Sequence, residues 1–382
     1  MDNLQKGVMT DILVLDFAKA FDKVSHSLLR HKLYHYGVQG QVLHWITDFL
    51  RDRRQAVVID GARSDFVSVR SGVPQGSVLG PCLFLVYIND LPDTLTAHAR
   101  LFADDTAVYD EVKSDSDRAR LQQNLDLLNE WEIKWDMTFH PNKCVQLPVT
   151  RMKEPPATKY HLHEHTLDTV DSTDYLGIKF TKNLSWSEHI GNISAKANKT
   201  LGFLRRNLKI SSKTVKELAY KTFVRPILEY SSTVWDPHTK KDIEKIEKVQ
   251  KRAARFVLRR FRNTSSVSDM ISTLDWPTLK ERRRVARLAM LFKFQHDLAI
   301  GPNIKGKLKS PRARDRRGHS KQLERVTLGR AAYRHQSFLP KTIREWNRLP
   351  QHAVDARTLP AFMARVSRNG DDTMSSTGSG SS

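Results

Sequence analysis

Cysteine is nearly absent: the 382 residues hold only Cys82 and Cys144. Two cysteines so far apart make neither a zinc knuckle nor a disulfide framework. They point to a reducing, intracellular setting in which both are small buried hydrophobes. Long apolar runs are lacking as well, and none approaches the ~20 residues of a membrane span. The opening Met1-Asp2-Asn3-Leu4-Gln5-Lys6-Gly7 has no apolar stretch of the kind that directs secretion. Acidic residues are the scarcer charge, 42 against 63 basic ones, for a net charge of +21 and a pI near 9.9. Such a balance implies a polyanion partner. Nucleic acid ranks ahead of anionic lipid, because the chain has no anchor and its positive charge is spread over many segments. No internal repeat is present. At 43.9 kDa, with 39% hydrophobic residues and a mean hydropathy of −0.51, the chain suits a soluble globular protein of two or three domains.

The chain is organised around Leu101 to Tyr109, where apolar residues run up to Asp104-Asp105 and resume after them. That pattern predicts a hairpin with an acidic turn, its aspartates tolerating the unusual backbone angles. Adjacent carboxylates repel unless a cation or proton lies between them. Hard oxygen ligands of this kind suit Mg²⁺, although an isolated pair is also consistent with a plain exposed turn. A second candidate carboxylate, Asp16, ends the apolar run Ile12-Leu13-Val14-Leu15, which reads as a buried strand. Helices are expected from Ser25 to about Tyr36 and over Gln41 to Arg51, then a hairpin about Asp60-Gly61. Arg70 to Pro81 packs three glycines and two prolines into twelve positions before an apolar helix, Cys82 to Ile88. A glycine-rich loop feeding a helix favours close approach of phosphate or sugar, but it is no Walker loop, since no Gly-Lys-Ser/Thr follows.

Three of these stretches together resemble motifs A, B and C of a reverse transcriptase: Asp16-Phe17-Ala18-Lys19-Ala20-Phe21-Asp22, Ser71-Gly72-Val73-Pro74-Gln75-Gly76-Ser77 and Phe102-Ala103-Asp104-Asp105. Their wording is most similar to the enzymes of non-LTR (LINE-type, jockey-like) retrotransposons. Asn142-Lys143-Cys144 resembles motif D, and Asp174-Tyr175-Leu176-Gly177-Ile178 the primer-grip motif E. Phe223 to Tyr230, through Val234-Trp235, resembles the thumb, and Trp346-Asn347-Arg348-Leu349-Pro350 a motif near the end of such proteins. The resemblance implies an α+β fold: a right-hand palm of antiparallel sheet with packed helices, then a helical thumb and a basic helical C-terminal region. It implies RNA-directed DNA polymerisation by two Mg²⁺ ions (Mn²⁺ as substitute), with RNA template, DNA primer and dNTPs as partners. Asp16, Asp104 and Asp105 become catalytic metal ligands. Phe17, Phe21, Gln75, Gly76 and Lys143 become nucleotide contacts, Phe21 as the ring that rejects a 2′-hydroxyl and Lys143 as the group that protonates pyrophosphate. Tyr175, Leu176 and Gly177 become the primer grip.

The expected division is palm 1–182, thumb 183–240, basic C-terminal region 241–369 and a Ser/Gly/Thr-rich disordered tail 370–382. A helix from about Lys240 to Phe261 presents Lys245, Lys248, Lys251, Arg252, Arg255 and Arg259 opposite its apolar face, a pattern suited to gripping phosphates without reading sequence. Lys305 to Arg325 reads as a flexible basic loop. His161, His163 and His165 fit an edge strand and its turn better than a metal site. Relatives carry a fingers subdomain before motif A, and fifteen residues cannot supply it, so fingers are expected to be largely missing. The competing expectation is therefore a catalytically silent remnant that only binds nucleic acid. A nuclease built on the same carboxylates lacks a further acidic or histidine cluster. A nuclear location follows from what such elements must reach.

Overall fold

In the computed structural model, residues 2–210, 212–261, 266–299, 304–311, 318–326 and 336–372 are described. The chain divides into two units, Met1–Ser185 and Trp186–Ser382.

In the first unit, α1 (Asp2–Lys6) leads into β1 (Met9–Asp16), followed by α2 (Ala20–Lys23), α3 (His26–His35) and α4 (Gly40–Leu50). Next come two nested strand pairs. The inner pair, β3 (Val58–Ile59) and β4 (Ala62–Arg63), turns at Asp60-Gly61, and the outer pair, β2 (Arg54–Gln55) and β5 (Val67–Ser68), flanks it. Then follow α5 (Leu79–Ile88), β6 (His98–Phe102), β7 (Asp105–Val112), α6 (Asp115–Trp135) and β8 (Val145–Val149). Three short strands, β9 (His161–Leu162), β10 (His165–Thr166) and β11 (Asp168–Thr169), precede a last hairpin of β12 (Ser172–Tyr175) and β13 (Ile178–Thr181).

The main sheet has the order β11-β8-β1-β7-β6, with β1 antiparallel to both neighbours. Alternation along β1 explains its central place. Met9, Asp11, Leu13 and Leu15 are buried on one face, while Thr10, Ile12, Val14 and Asp16 are only partly covered on the other. Beneath the sheet lies α6, with Leu121, Leu125, Leu128 and Trp131 all buried, as their helical spacing predicts. Its start is fixed by a capping box between Ser114 and Asp117. Lys32 of α3 is buried in the same core. Its ammonium ion-pairs with Asp90 at 2.6 Å and lies 3.6 Å from the Trp135 ring centre. Burial pulls its pKa down to about 8.

The second unit is helical: α7 (Ser187–Asn207), α8 (Lys213–Ala219), a π turn at Tyr220–Val224, α9 (Ser232–Trp235), α10 (Lys240–Leu258), α11 (Val267–Thr273) and α12 (Leu279–Gln295). Helices Phe338–Trp346, Gln351–Val354 and Leu359–Asp372 follow. A buried charge network joins α12 to the helix Phe338–Trp346. Asp236 accepts from Arg283 at 2.9 Å and pairs with Arg287 at 3.1 Å and Lys341 at 2.5 Å, while Arg287 also pairs with Glu345 at 2.7 Å. Trp346-Asn347 has a structural role. Trp346 is fully buried and donates to the Lys321 carbonyl at 2.8 Å, and the Asn347 amide bonds both backbone groups of Leu323.

Several local expectations need correction. Cys144 is buried but Cys82 is exposed, because it lies on the outer side of α5. In the acidic turn it is Ala103, not an aspartate, that takes the left-handed angle, with φ +51°. Helix α10 ends at Leu258, where Arg259 turns left-handed at φ +54°. Separately, across α8 and the π turn the apolar Val215, Leu218 and Phe223 are exposed, and the buried residues are Lys216, Ala219, Tyr220 and Val224. Within the basic loop, 312–317 lie outside the described residues. The last helix runs through 370–372, the start of the expected tail, and 373–382 lie outside the described residues.

Candidate active site

The centre of the first unit's sheet positions the acidic residues. β1 pairs with β7 from Met9↔Val112 to Asp16↔Asp105, so Asp16 and Asp105 are direct cross-strand neighbours on one face. Asp104 occupies the turn before Asp105, where Phe102 pairs with Asp105. Like charges opposite one another are unfavourable, and the effect is visible at Asp105. Desolvation, then the charges of Asp104 and Asp16, push its carboxyl above the usual range. Lys143 partly offsets this crowding, its ammonium lying 3.3 Å from the Asp16 carboxylate. These oxygens are a donor set that fits a hard divalent cation. Among the described residues, however, no group of three or more His, Cys, Asp or Glu side chains closes a metal cage.

The stretch after Asp16 is held from two sides. On one side, His140 donates its backbone N–H to the Asp16 carbonyl at 2.7 Å, and Ala18 donates to Thr138 at 2.8 Å. Phe17 is buried, its ring stacked on Phe139 at 4.0 Å. On the other side, the glycine-rich loop clasps α2. Gly72 donates to Val24 and Val73 to Phe21, both at 2.8 Å, and the Ser71 hydroxyl donates to the Asp22 carbonyl at 2.8 Å. The exposed Gln75 amide reaches the Asp22 carboxylate at 3.1 Å. Gly72 is required here: its φ is +89°, and a Cβ would lie 2.8 Å from Asp22 Cα. Gly76, with φ +82°, faces open space. Phe21 is half-buried and stacks on Phe84 at 4.4 Å.

In the β12–β13 hairpin, Leu176 and Gly177 form the turn, with φ +50° and +72°. Tyr175 donates its hydroxyl to the Arg100 carbonyl at 3.3 Å. Burial, then the charge of Asp105, raise its pKa, so this hairpin lies within electrostatic reach of the acidic cluster.

In the second unit, Lys245, Lys248, Lys251 and Arg252 are exposed along α10, and Arg255 is half-buried. Arg252 donates to Asn198 at 2.9 Å and Arg259 to the Lys209 carbonyl at 2.6 Å. Sequence reasoning missed two contributors to the site. Asp22 anchors the glycine-rich loop, and Glu132, buried on α6, accepts the backbone N–H of Phe139. A carboxylate beside Trp131 on the core side of a helix was the available signal.

Residues 3–180 match the family described as reverse transcriptase (RNA-dependent DNA polymerase). The match spans 178 of the 382 residues, and the resemblance read from motifs A, B and C is borne out. More narrowly, the relatives are non-LTR elements. The chain is 28% identical over 278 residues to the RNA-directed DNA polymerase from mobile element jockey of Drosophila funebris, covering 67% of this chain and 29% of that protein. It is 29% identical over 255 residues to the probable RNA-directed DNA polymerase from transposon X-element of Drosophila melanogaster, covering 64% and 28%. To the jockey polymerase of Drosophila melanogaster it is 30% identical over 260 residues, covering 63% and 27%. The chain thus spans under a third of the length of these relatives. No helix among the described residues is long and apolar enough to cross a membrane.

Proposed function

We propose that this chain carries the polymerising core of an RNA-directed DNA polymerase, extending a DNA primer on an RNA template with dNTPs. The observation that supports this most is the pairing of Asp16 with Asp105 beside Asp104, inside the stretch that matches the reverse transcriptase family. Asp16, Asp104 and Asp105 would hold two Mg²⁺ ions. When bound, such ions lower the pKa of a primer hydroxyl and neutralise charge on the leaving pyrophosphate. Without a cation the three carboxylates repel one another, which adds to burial in raising Asp105.

The remaining roles follow the resemblance of the motifs. Phe21 is braced against Phe84, and its ring would reject a 2′-hydroxyl on an incoming nucleotide. Gln75 and the open backbone at Gly76 line the approach, with Phe17 contributing backbone. Lys143 is held near Asp16 by its ion pair and supplies a proton to the departing pyrophosphate. Tyr175, Leu176 and Gly177 hold the primer end. The exposed lysines and arginines of α10 bind phosphates. We assign 1–182 to the palm, 183–240 to the thumb and 241–369 to the basic C-terminal region, acting in the nucleus.

A second reading is a nucleic-acid-binding remnant without turnover, favoured by the exposed basic side chains of α10, which can hold phosphates without a metal. The test is single-nucleotide extension of oligo-dT on poly-rA with dTTP and Mg²⁺. Extension by the chain and none by Asp104→Asn is expected. Salt-sensitive binding of primer–template with no extension by either supports the remnant.

A further inference from the structure

One member of the histidine run at 161–165 reaches the core. His163 sits in the turn between β9 and β10 at φ +56°, and its Nε2 lies 2.8 Å from the Glu132 carboxylate. Glu132 is 3% exposed. Its other oxygen accepts the backbone N–H of Phe139. Both oxygens of one buried carboxylate are therefore engaged, by two segments that come from different places in the chain.

Phe139 is an informative partner. Its ring stacks on Phe17, the residue after Asp16. The next residue, His140, donates to the Asp16 carbonyl. From His140 the chain enters the short turn Pro141–Lys143, whose last residue pairs with the Asp16 carboxylate. Lys143 in turn donates its backbone N–H to the His140 carbonyl at 2.9 Å. A continuous line of packed and bonded groups thus runs from Glu132 to both Asp16 and Lys143. A buried carboxylate is an expensive way to satisfy one N–H, because burial disfavours its charge. A neutral side chain would serve stability as well, so the placement calls for a further reason.

We propose that Glu132 is a positioning residue for phosphoryl transfer. It fixes Phe139–His140 so that Asp16 and Lys143 keep their mutual placement, with His163 holding its second oxygen. This rests on the polymerase reading. A shift of about 1 Å in a reacting group costs up to a hundredfold in rate, so the brace acts on kcat rather than on nucleotide binding.

The full chain is compared with Glu132→Ala, Glu132→Gln and His163→Gln in the poly-rA and oligo-dT assay. Readouts are kcat per active site from burst amplitude, KM for dTTP, and amide exchange over 14–18 and 137–144. In Glu132→Ala, kcat per active site is expected to fall about tenfold or more, with KM within about twofold and faster exchange in both segments. Glu132→Gln keeps an oxygen for the Phe139 N–H and recovers part of the rate, and His163→Gln loses less than Glu132→Ala. Unchanged kcat per active site in Glu132→Ala overturns the proposal. So does a smaller burst with kcat intact, which marks a purely structural role. If Glu132→Ala does not fold, the other two variants carry the same comparison. If the unmodified chain extends nothing, the polymerase reading fails by itself. Exchange then decides the brace, and unaltered exchange at 14–18 in Glu132→Ala and His163→Gln overturns it.

Discussion

Replacing Gly72 by alanine should detach the glycine-rich loop from the segment that follows Asp16. The added Cβ would lie 2.8 Å from both Cα and carbonyl O of Asp22 and 2.9 Å from the Phe21 carbonyl O. All three are backbone atoms, so no side chain can swing away. Overpacking of this kind costs roughly 1–3 kcal/mol. The left-handed backbone at φ +89° adds about 1–2 kcal/mol for a residue with a Cβ. Against this strain stand the three bonds that close the loop, from Gly72, Val73 and Ser71, at about 1 kcal/mol each. Strain and closure are comparable, so the loop opens rather than the fold collapsing. Gly76→Ala is the control: its φ is +82°, yet its Cβ meets nothing within 4 Å. A two-unit chain is not expected to unfold in one step, so the assay is native-state amide exchange over 20–25 and 70–76. The left-handed backbone is common to both positions, so Gly72→Ala should lose about 1–3 kcal/mol more local protection than Gly76→Ala. Equal losses, within about 0.5 kcal/mol, would refute the argument from contact.

Three further outcomes are expected. Phe21→Val should raise use of ribonucleotides relative to deoxynucleotides by about tenfold, read as the ratio of kcat/KM for UTP and dTTP; an unchanged ratio removes Phe21 from discrimination. Converting Lys245, Lys248 and Lys251 together to glutamine should flatten the plot of log affinity against log salt for primer–template by about 2–3, and an unaltered slope places the grip elsewhere. Lys32 gives a pH signature. The folded chain releases its proton at about 8 and the unfolded chain at 10.5, so between those values the unfolded state binds more protons. Stability conferred by this group therefore rises with pH, by roughly 3 kcal/mol across the window. Urea titrations of the first unit's transition should show this rise in the parent and not in Lys32→Met; identical slopes in the two would contradict the buried-cation account.

Much of the first unit was legible because its signals are local. The run ending at Asp16 has the period and length of a central strand, and α6 carries its apolar residues at strict helical spacing. Pairing of distant strands was not readable from period alone. That Asp16 and Asp105 share a face depends on a register set across some ninety residues of chain. The exposed Val215, Leu218 and Phe223 show why apolar character does not assign a face. Lys216, Ala219, Tyr220 and Val224 go inward instead. His163 and Glu132 were unreadable as a pair, since each looked ordinary in its own segment and only the packing of the β9–β10 turn on α6 brings them together.

The most direct test of the account is a count of bound Mn²⁺ by electron paramagnetic resonance, with primer–template present and no nucleotide. The account predicts saturable binding to the full chain that is lost in Asp16→Asn and in Asp104→Asn while primer–template binding persists. Equal Mn²⁺ binding in the chain and in a variant carrying both substitutions would contradict it, and would leave a protein that holds nucleic acid without a catalytic metal centre.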